Sequence, residues 1–376
     1  MRVLFTTTPG RGHYQPMLPL ARALVDHGHE VRWAAAEEVC TGLRDRGFDA
    51  VRCGVEVARA SPTAPPPPEI AALPVDQRPD FMFSRIFGPR RAEPMLADLL
   101  PIVDDWRPQL LVCDQAELAG PIAAARAEVP NVTHSFGRLL PAVRVARAQE
   151  TMADLWRAHG LEPPPYAGTY EYLLLDIYPP SLQSVDTDHV GEMQLLRPGA
   201  SPLPRKADAP PVVWITFGTV FNEDLELFKT AVEAARELPV RVVVTLGPGN
   251  DPASLGEQPP NVEVAEFIPQ EELLPRCAAV VSHAGSGTFL AALSAALPQL
   301  LLPQAADQWL NAEAGASGGV ALRLMPDELS VTSVRDALAR VLADGELREA
   351  ARRVSAEIAA MPSADAVAIE LARRFA

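Results

Sequence analysis

Two stretches of this chain share one grammar: an apolar run, a glycine-rich turn, then residues at helical spacing. The first is RVLFTTTPGRGHYQPMLPLARAL, beginning at Arg2. The second is VVSHAGSGTFLAALSAALPQLLLPQAADQWLN, from Val280 to Asn311. A strand that feeds a helix through a tight turn predicts a βαβ unit. Parallel strands built from such units need helices on both faces of the sheet. Two separated copies of the grammar therefore constrain the chain to two α/β layers, and its 376 residues suit two domains better than one core.

The pattern can be followed from end to end. Val3–Thr7 reads as a buried strand. The turn Pro9–Gly12 follows, then a helix carrying Met17, Leu20, Ala21, Leu24 and Val25 on one face, with Gly28 as its C-cap. Glu30–Ala35 and Phe48–Arg52 read as strands around a helix over Val39–Arg46. Ala60–Pro79 is proline-rich and reads as a surface loop. Phe81, Phe83 and Phe87 lead into a helix over Glu93–Trp106. Strands are expected at Leu110–Cys113, Asn131–Ser135 and Leu173–Ile177, the last of the first half, with a helix over Gly120–Ala127. RPGASPLPRKADAPP, residues 197–211, reads as a linker. Beyond it Val212–Thr216, Val240–Leu246, Val262–Ala265 and Ala279–Ser282 restart the strand pattern, and Ala364–Phe375 reads as an amphipathic helix. The expected organisation is a Rossmann-like domain over 1–200, a second over 212–361, and a helix over 362–376 that packs back on the first.

A net charge of −15 argues against nucleic acid and anionic membrane surfaces, which both select a basic face. Cys40, Cys53, Cys113 and Cys277 show no paired spacing, which fits reduced thiols and a cytoplasmic setting. No stretch is apolar for the length of a membrane span, and no signal-peptide core follows Met1. No spacing of histidines and carboxylates suggests a metal site. A homodimer is compatible with the sequence, and nothing in it marks an interface.

Ligands of open parallel sheets bind beyond the carboxyl ends of the strands. His13, Asp114, Gly218 and His283 all fall just past predicted strands. An imidazole titrates near pH 6.5 and suits a general base, particularly with a carboxylate to orient it, so His13 and Asp114 are a candidate pair. Gly285 to Thr288 opens a helix, whose free N–H groups and dipole favour an anion such as a diphosphate; a plain turn capped by Ser286 is an equal reading of that stretch alone. Asp307 and Gln308 could clamp a polyol, or Asp307 could simply cap the helix opening at Trp309. Gly10-Arg11-Gly12 is an incomplete dinucleotide fingerprint, since Gln15 stands where the third glycine belongs. Glu37 or Glu38 could still hold a ribose, which keeps a dehydrogenase open. Asp186-Thr187-Asp188 fits a solvated loop better than a metal-binding DxD element.

Together TTTPGRGHYQPMLPLARAL, VVWITFGTV, AEFIPQEELLPRC and the Val280–Asn311 block resemble the bacterial family 1 glycosyltransferases, most closely those that decorate polyketide and enediyne antibiotics. The resemblance covers nearly the whole chain. It implies the GT-B fold, two Rossmann-like domains with parallel sheets facing across a cleft, and an inverting, metal-independent transfer with no cofactor beyond a nucleotide-diphosphate sugar. It implies that His13 is the base and Asp114 its partner. Gly218, Thr219, His283, Gly285, Ser286, Gly287 and Thr288 would hold the diphosphate. Asp307 and Gln308 would hold sugar hydroxyls, and Phe267 and Ile268 the nucleobase. The donor would be thymidine-diphosphate-linked, with UDP-glucose as the other choice. The acceptor would be a hydrophobic aglycone touched by Tyr14, Phe81, Phe83 and Phe87. Ala284, Ser286 and the Ala305-Ala306 pair depart from the family pattern, which leaves the sugar open. Rivals are a GT-B-fold epimerase, which needs no acceptor, and a catalytically silent sugar-nucleotide binder.

Overall fold

The computed structural model describes residues 1–55, 70, 72–73, 78–199, 211–218 and 224–376. Most of the expected linker and of the Ala60–Pro79 loop lies outside the described residues, as does Thr219. The chain divides into two compact units. The first comprises Met1–Ile177, Val185–Arg197 and Pro362–Ala376; the second comprises Tyr178–Ser184 and Pro198–Met361.

The first unit holds a parallel sheet of seven strands in the order β3-β2-β1-β4-β5-β6-β7. These are β1 (Arg2–Thr6), β2 (Glu30–Ala35), β3 (Asp49–Arg52), β4 (Leu110–Asp114), β5 (Asn131–His134), β6 (Leu173–Asp176) and β7 (Met193–Leu195). β4 is buried at every position, as a strand covered on both faces must be. Strand order reverses between β1 and β4, whose register pairs Thr6 with Cys113. That reversal opens a crevice at their carboxyl ends.

Sequence expectation and structure part at several places. β7 extends the sheet past Leu173–Ile177, and a helix over Ala142–Ala158 was not foreseen. Phe81, Phe83 and Phe87 lie on a helix over Arg78–Phe87. The next helix begins at Pro89, where proline fits the first turn because its missing N–H would be unpaired there anyway. The helix Ala364–Phe375 buries Val367, Ala368 and Leu371 and packs on the helix Leu18–Asp26. Arg197 N–H donates to Pro362 O at 2.8 Å, where the chain re-enters this unit.

The second unit repeats the plan with six parallel strands, β10-β9-β8-β11-β12-β13. They are β8 (Val212–Thr216), β9 (Arg241–Thr245), β10 (Val262–Ala265), β11 (Cys277–Ser282), β12 (Gln299–Leu301) and β13 (Ala321–Arg323). Its order reverses between β8 and β11, and register pairs Thr216 with Ser282. Gly218 and His283, each just beyond one of these residues, are thereby brought side by side. β13, only three residues long, was not anticipated. No described helix is long and apolar enough to cross a membrane.

Candidate active site

In the first unit the chain leaves β1 through Pro9 and Gly10. Gly10 adopts φ 126°, a conformation open in practice only to glycine. A single helical turn, Arg11–Tyr14, follows, and His13 N–H donates to Gly10 O at 3.1 Å. The turn swings the imidazole toward the end of β4. His13 Nδ1 lies 3.0 Å from Asp114 Oδ2, with the ring N–H off the line to that oxygen. The His13 side chain keeps 19% of its surface exposed, while that of Asp114 is fully covered.

Asp114 is held from several sides. Its Oδ2 accepts the Thr8 hydroxyl at 3.0 Å and the Thr8 N–H at 3.3 Å, and Oδ1 accepts Ala116 N–H at 3.2 Å. Burial alone would raise this carboxyl, but His13 and the backbone donors outweigh it, so it stays below the ordinary aspartate value. The carboxylate is therefore ionised at neutral pH and fixed in place. The imidazole stands between two aromatic edges, Phe136 at 4.8 Å and Phe87 at 5.5 Å between ring centroids. Phe83 packs behind Phe87 at 5.1 Å. Phe81 is covered by the Arg147 guanidinium at 3.7 Å from its ring centroid.

Tyr14 is placed differently from its expected acceptor role. Its side chain is buried, and its hydroxyl lies beside Gly42 of the helix Glu37–Arg44. Neighbours on a helix point about 100° apart, so His13 and Tyr14 cannot share a face. Glu37 is engaged by Arg44 in an ion pair. The Asp186 carboxylate accepts Asp188 N–H at 2.8 Å and closes an exposed loop. Among the described residues no cluster of three or more histidine, cysteine or carboxylate side chains is arranged to hold a metal ion.

In the second unit His283 follows β11 and is enclosed by glycine. A Cβ added at Gly285 would stand 2.5 Å from its Nε2, and one at Gly218 2.7 Å from its Cε1. Both positions must therefore be glycine for the ring to sit where it does. Burial drives the His283 imidazole down to about 4 despite the opposing charge of Asp307, so the ring is neutral at physiological pH. The helix Ser286–Ser294 begins here, with Gly285 and not Ser286 at the N-cap. Its first turn leaves the N–H groups of Ser286, Gly287 and Thr288 without helical partners. Gly287 is exposed, with nothing within 4 Å of where a Cβ would stand.

Asp307 stands at the N-cap position of the helix Gln308–Ser317 without making a side-chain cap bond. Instead its Oδ2 accepts the Ser286 hydroxyl at 2.7 Å, tying the two predicted elements together. Gln308 is buried, and its Oε1 accepts the N–H groups of Gln304 (2.7 Å) and Ala305 (2.9 Å). Its amide oxygen is thus committed to shaping the loop. Phe267 is 54% exposed, rare for a large apolar ring, while neighbouring Ile268 packs against the core below.

Asn311 is the residue that sequence reasoning missed. Fully buried, it donates to Ala284 O and Ser286 Oγ, both at 2.9 Å, and accepts the Tyr178 hydroxyl at 3.1 Å. It holds Ala284 in a left-handed conformation, φ 65°, which costs an alanine about 1–2 kcal/mol. Asn311 follows Asp307 by four residues, one helical turn, and that spacing was the available signal.

Residues 77–201 and 229–373 match the N-terminal and C-terminal domains of the erythromycin biosynthesis protein CIII-like family. The chain is 32% identical to L-demethylnoviosyl transferase of Streptomyces niveus, over 99% of this chain and 98% of that protein. The spinosyn rhamnosyltransferase SpnG complexed with spinosyn aglycone superposes with a TM-score of 0.82 at 29% identity, covering 99% of this chain and all of that one. The glycosyltransferase VinC in complex with DTDP gives 0.80 at 29% identity, with 99% of each chain covered. The two parallel sheets with their helices are thus a GT-B fold. This chain belongs to the erythromycin CIII-like family of antibiotic-biosynthesis glycosyltransferases and is itself a glycosyltransferase.

Proposed function

We propose that this chain transfers a deoxysugar, with inversion and without metal or other cofactor, from a thymidine-diphosphate donor to a hydroxyl of a hydrophobic natural-product aglycone. The observation that carries the reading is the His13–Asp114 pair. With Nδ1 beside the buried carboxylate at 3.0 Å and carrying the ring proton, the Nε2 lone pair is left to receive the acceptor proton. The acceptor oxygen then bonds to the anomeric carbon as the bond from that carbon to the diphosphate breaks. The proton resides on His13, whose positive charge Asp114 stabilises.

The second unit supplies what the departing diphosphate needs. The unpaired N–H groups of residues 286–288 and the helix dipole favour its growing negative charge, and neutral His283 can donate to it without titrating. Asp307, held by Ser286, offers its carboxylate to sugar hydroxyls. Phe267 offers an exposed face to the base. SpnG binds an aglycone and VinC binds DTDP, which supports both halves of the assignment. The transferase names of the relatives disfavour the epimerase, dehydrogenase and silent-binder readings. Four buried free cysteines fit a reducing, cytoplasmic setting.

Calorimetric titration of the chelator-treated chain with TDP, UDP and NAD in parallel tests the proposal. TDP binding well above the other two is expected. NAD binding in preference to either diphosphate would overturn it, and a preference for UDP would replace the donor.

A further inference from the structure

The first unit contains a small cleft of about 20 Å³, open to solvent at one side, beside the His13–Asp114 pair. Thr8, Cys53, Phe87, Arg91, Met95 and Glu117 contribute to its lining. Two of these link it to the catalytic pair. Thr8 donates to Asp114, and the Phe87 ring borders His13. The wall is largely apolar, with one cation in it.

That cation is Arg91, the third residue of the helix Pro89–Trp106. Its guanidinium stands over the Phe87 ring at 5.0 Å from the centroid. Among the described residues no carboxylate or carbonyl takes its N–H groups. The arginine is half-buried, and burial pulls it below the ordinary guanidinium value in spite of Asp114 nearby. A half-buried guanidinium without an anion keeps only part of its water, so a charged oxygen reaching its free donors gains a charge-assisted pair.

The nearby carboxylates are already committed. Asp114 serves His13, Thr8 and Ala116. Glu117 accepts the Thr6 hydroxyl at 2.6 Å and the N–H groups of Ala119 and Gly120 at 2.7 and 2.9 Å. Gly120 allows this packing, since a Cβ there would stand 2.7 Å from Glu117 Oε2. Among the described residues no anion is left to complete Arg91. We propose that Arg91 determines acceptor specificity by binding an anionic oxygen, a carboxylate or an acidic phenolate, on a flat apolar acceptor whose reacting hydroxyl lies at His13. This rests on the reading of the first unit as the acceptor site. Phe87 stands between the two groups, touching the imidazole and the guanidinium, and provides the wall for the flat ring system.

The test uses the full chain, wild type and the variants R91M and R91K, titrated with 6-hydroxy-2-naphthoic acid and with 2-naphthol, with TDP titrated in the same samples. Circular dichroism melting checks that each variant is folded. The wild type is expected to bind the naphthoate at least about tenfold tighter than the naphthol, the worth of one charge-assisted pair. R91M should reduce that ratio to within about twofold, and R91K, which keeps the charge without the planar fork, should retain part of it. Equal affinity in the wild type, a ratio that persists in R91M, or TDP binding with neither naphthol bound would overturn the assignment. A wild-type chain that fails to bind TDP would instead overturn the donor reading, and the naphthoate ratio would still decide the role of Arg91.

Discussion

His13 and His283 stand on opposite sides of the strand-order reversal in their units: His13 follows β1, whose counterpart is β8, and His283 follows β11, whose counterpart is β4. Each follows a strand that flanks the reversal of strand order, and each is preceded or surrounded by glycine. Their chemistry is opposite. His13 is partly exposed and leans on a buried carboxylate. His283 is sealed between Gly218 and Gly285 and is held neutral by burial, so its ring can donate a hydrogen bond but not titrate. A histidine beside the reversal is thus open and next to a carboxylate in one unit, and sealed among glycines in the other. The difference lies in a carboxylate and two missing methyl groups, not in the histidine.

The sharpest way to break this comparison is to remove each function and read the other. His13→Ala should lower turnover by about a thousandfold, within the range of general-base catalysis, while the TDP dissociation constant changes by less than about twofold. Single-turnover kinetics and calorimetry on one preparation give both numbers. Surviving turnover would remove His13 from the mechanism.

The second effect is on acid stability. The His283 and His134 rings are both pushed down to about 4 by burial, against 6.5 when unfolded. A lowered histidine stabilises the fold fully above the unfolded value and loses that contribution as pH falls from about 6.5 to about 4. Each ring then contributes roughly 3 kcal/mol across that window. In the first unit Glu117, whose carboxyl is raised by burial, acts in the opposite sense and offsets part of the loss from His134. Hydrogen exchange should therefore show β11 opening sooner than β4 on acidification, and His283→Asn should flatten the response of β11 alone. Equal opening of both strands would contradict the asymmetry.

The third effect is steric and smaller. Gly285→Ala puts a methyl group into the His283 ring. Displacing that ring should weaken TDP binding about thirtyfold, or about 2 kcal/mol, with no change in the pH dependence of turnover. Unaltered TDP affinity would show that His283 does not face the nucleotide.

Much of this was legible because the signals were local. β1, β4, β8 and β11 are apolar runs ending in polar residues, and a buried parallel strand has little else it can look like. Histidine and carboxylate positions at strand ends could therefore be read before any contact was known. The three-residue edge strands β7 and β13 could not, because so short a run has no period. Phe136 gave no signal either, being a lone aromatic in a loop that only the tertiary fold brings to His13. Tyr14 follows His13 in the chain but is buried, with its hydroxyl beside Gly42, a placement set by tertiary packing that the residue type did not reveal. Asp307 resisted in another way: its place at a helix start suggested a cap, while its actual partner is Ser286, 21 residues earlier.

The order of synthesis adds a last consequence. The first unit is begun first, yet it is finished only when residues 362–376 have emerged, since their helix covers the apolar face of Leu18–Asp26. The second unit is complete by Met361. During translation the second unit therefore has all its parts while the unit that carries His13 still waits with one face uncovered, and a ribosome halted before Pro362 would release a chain whose later-made half is the better folded.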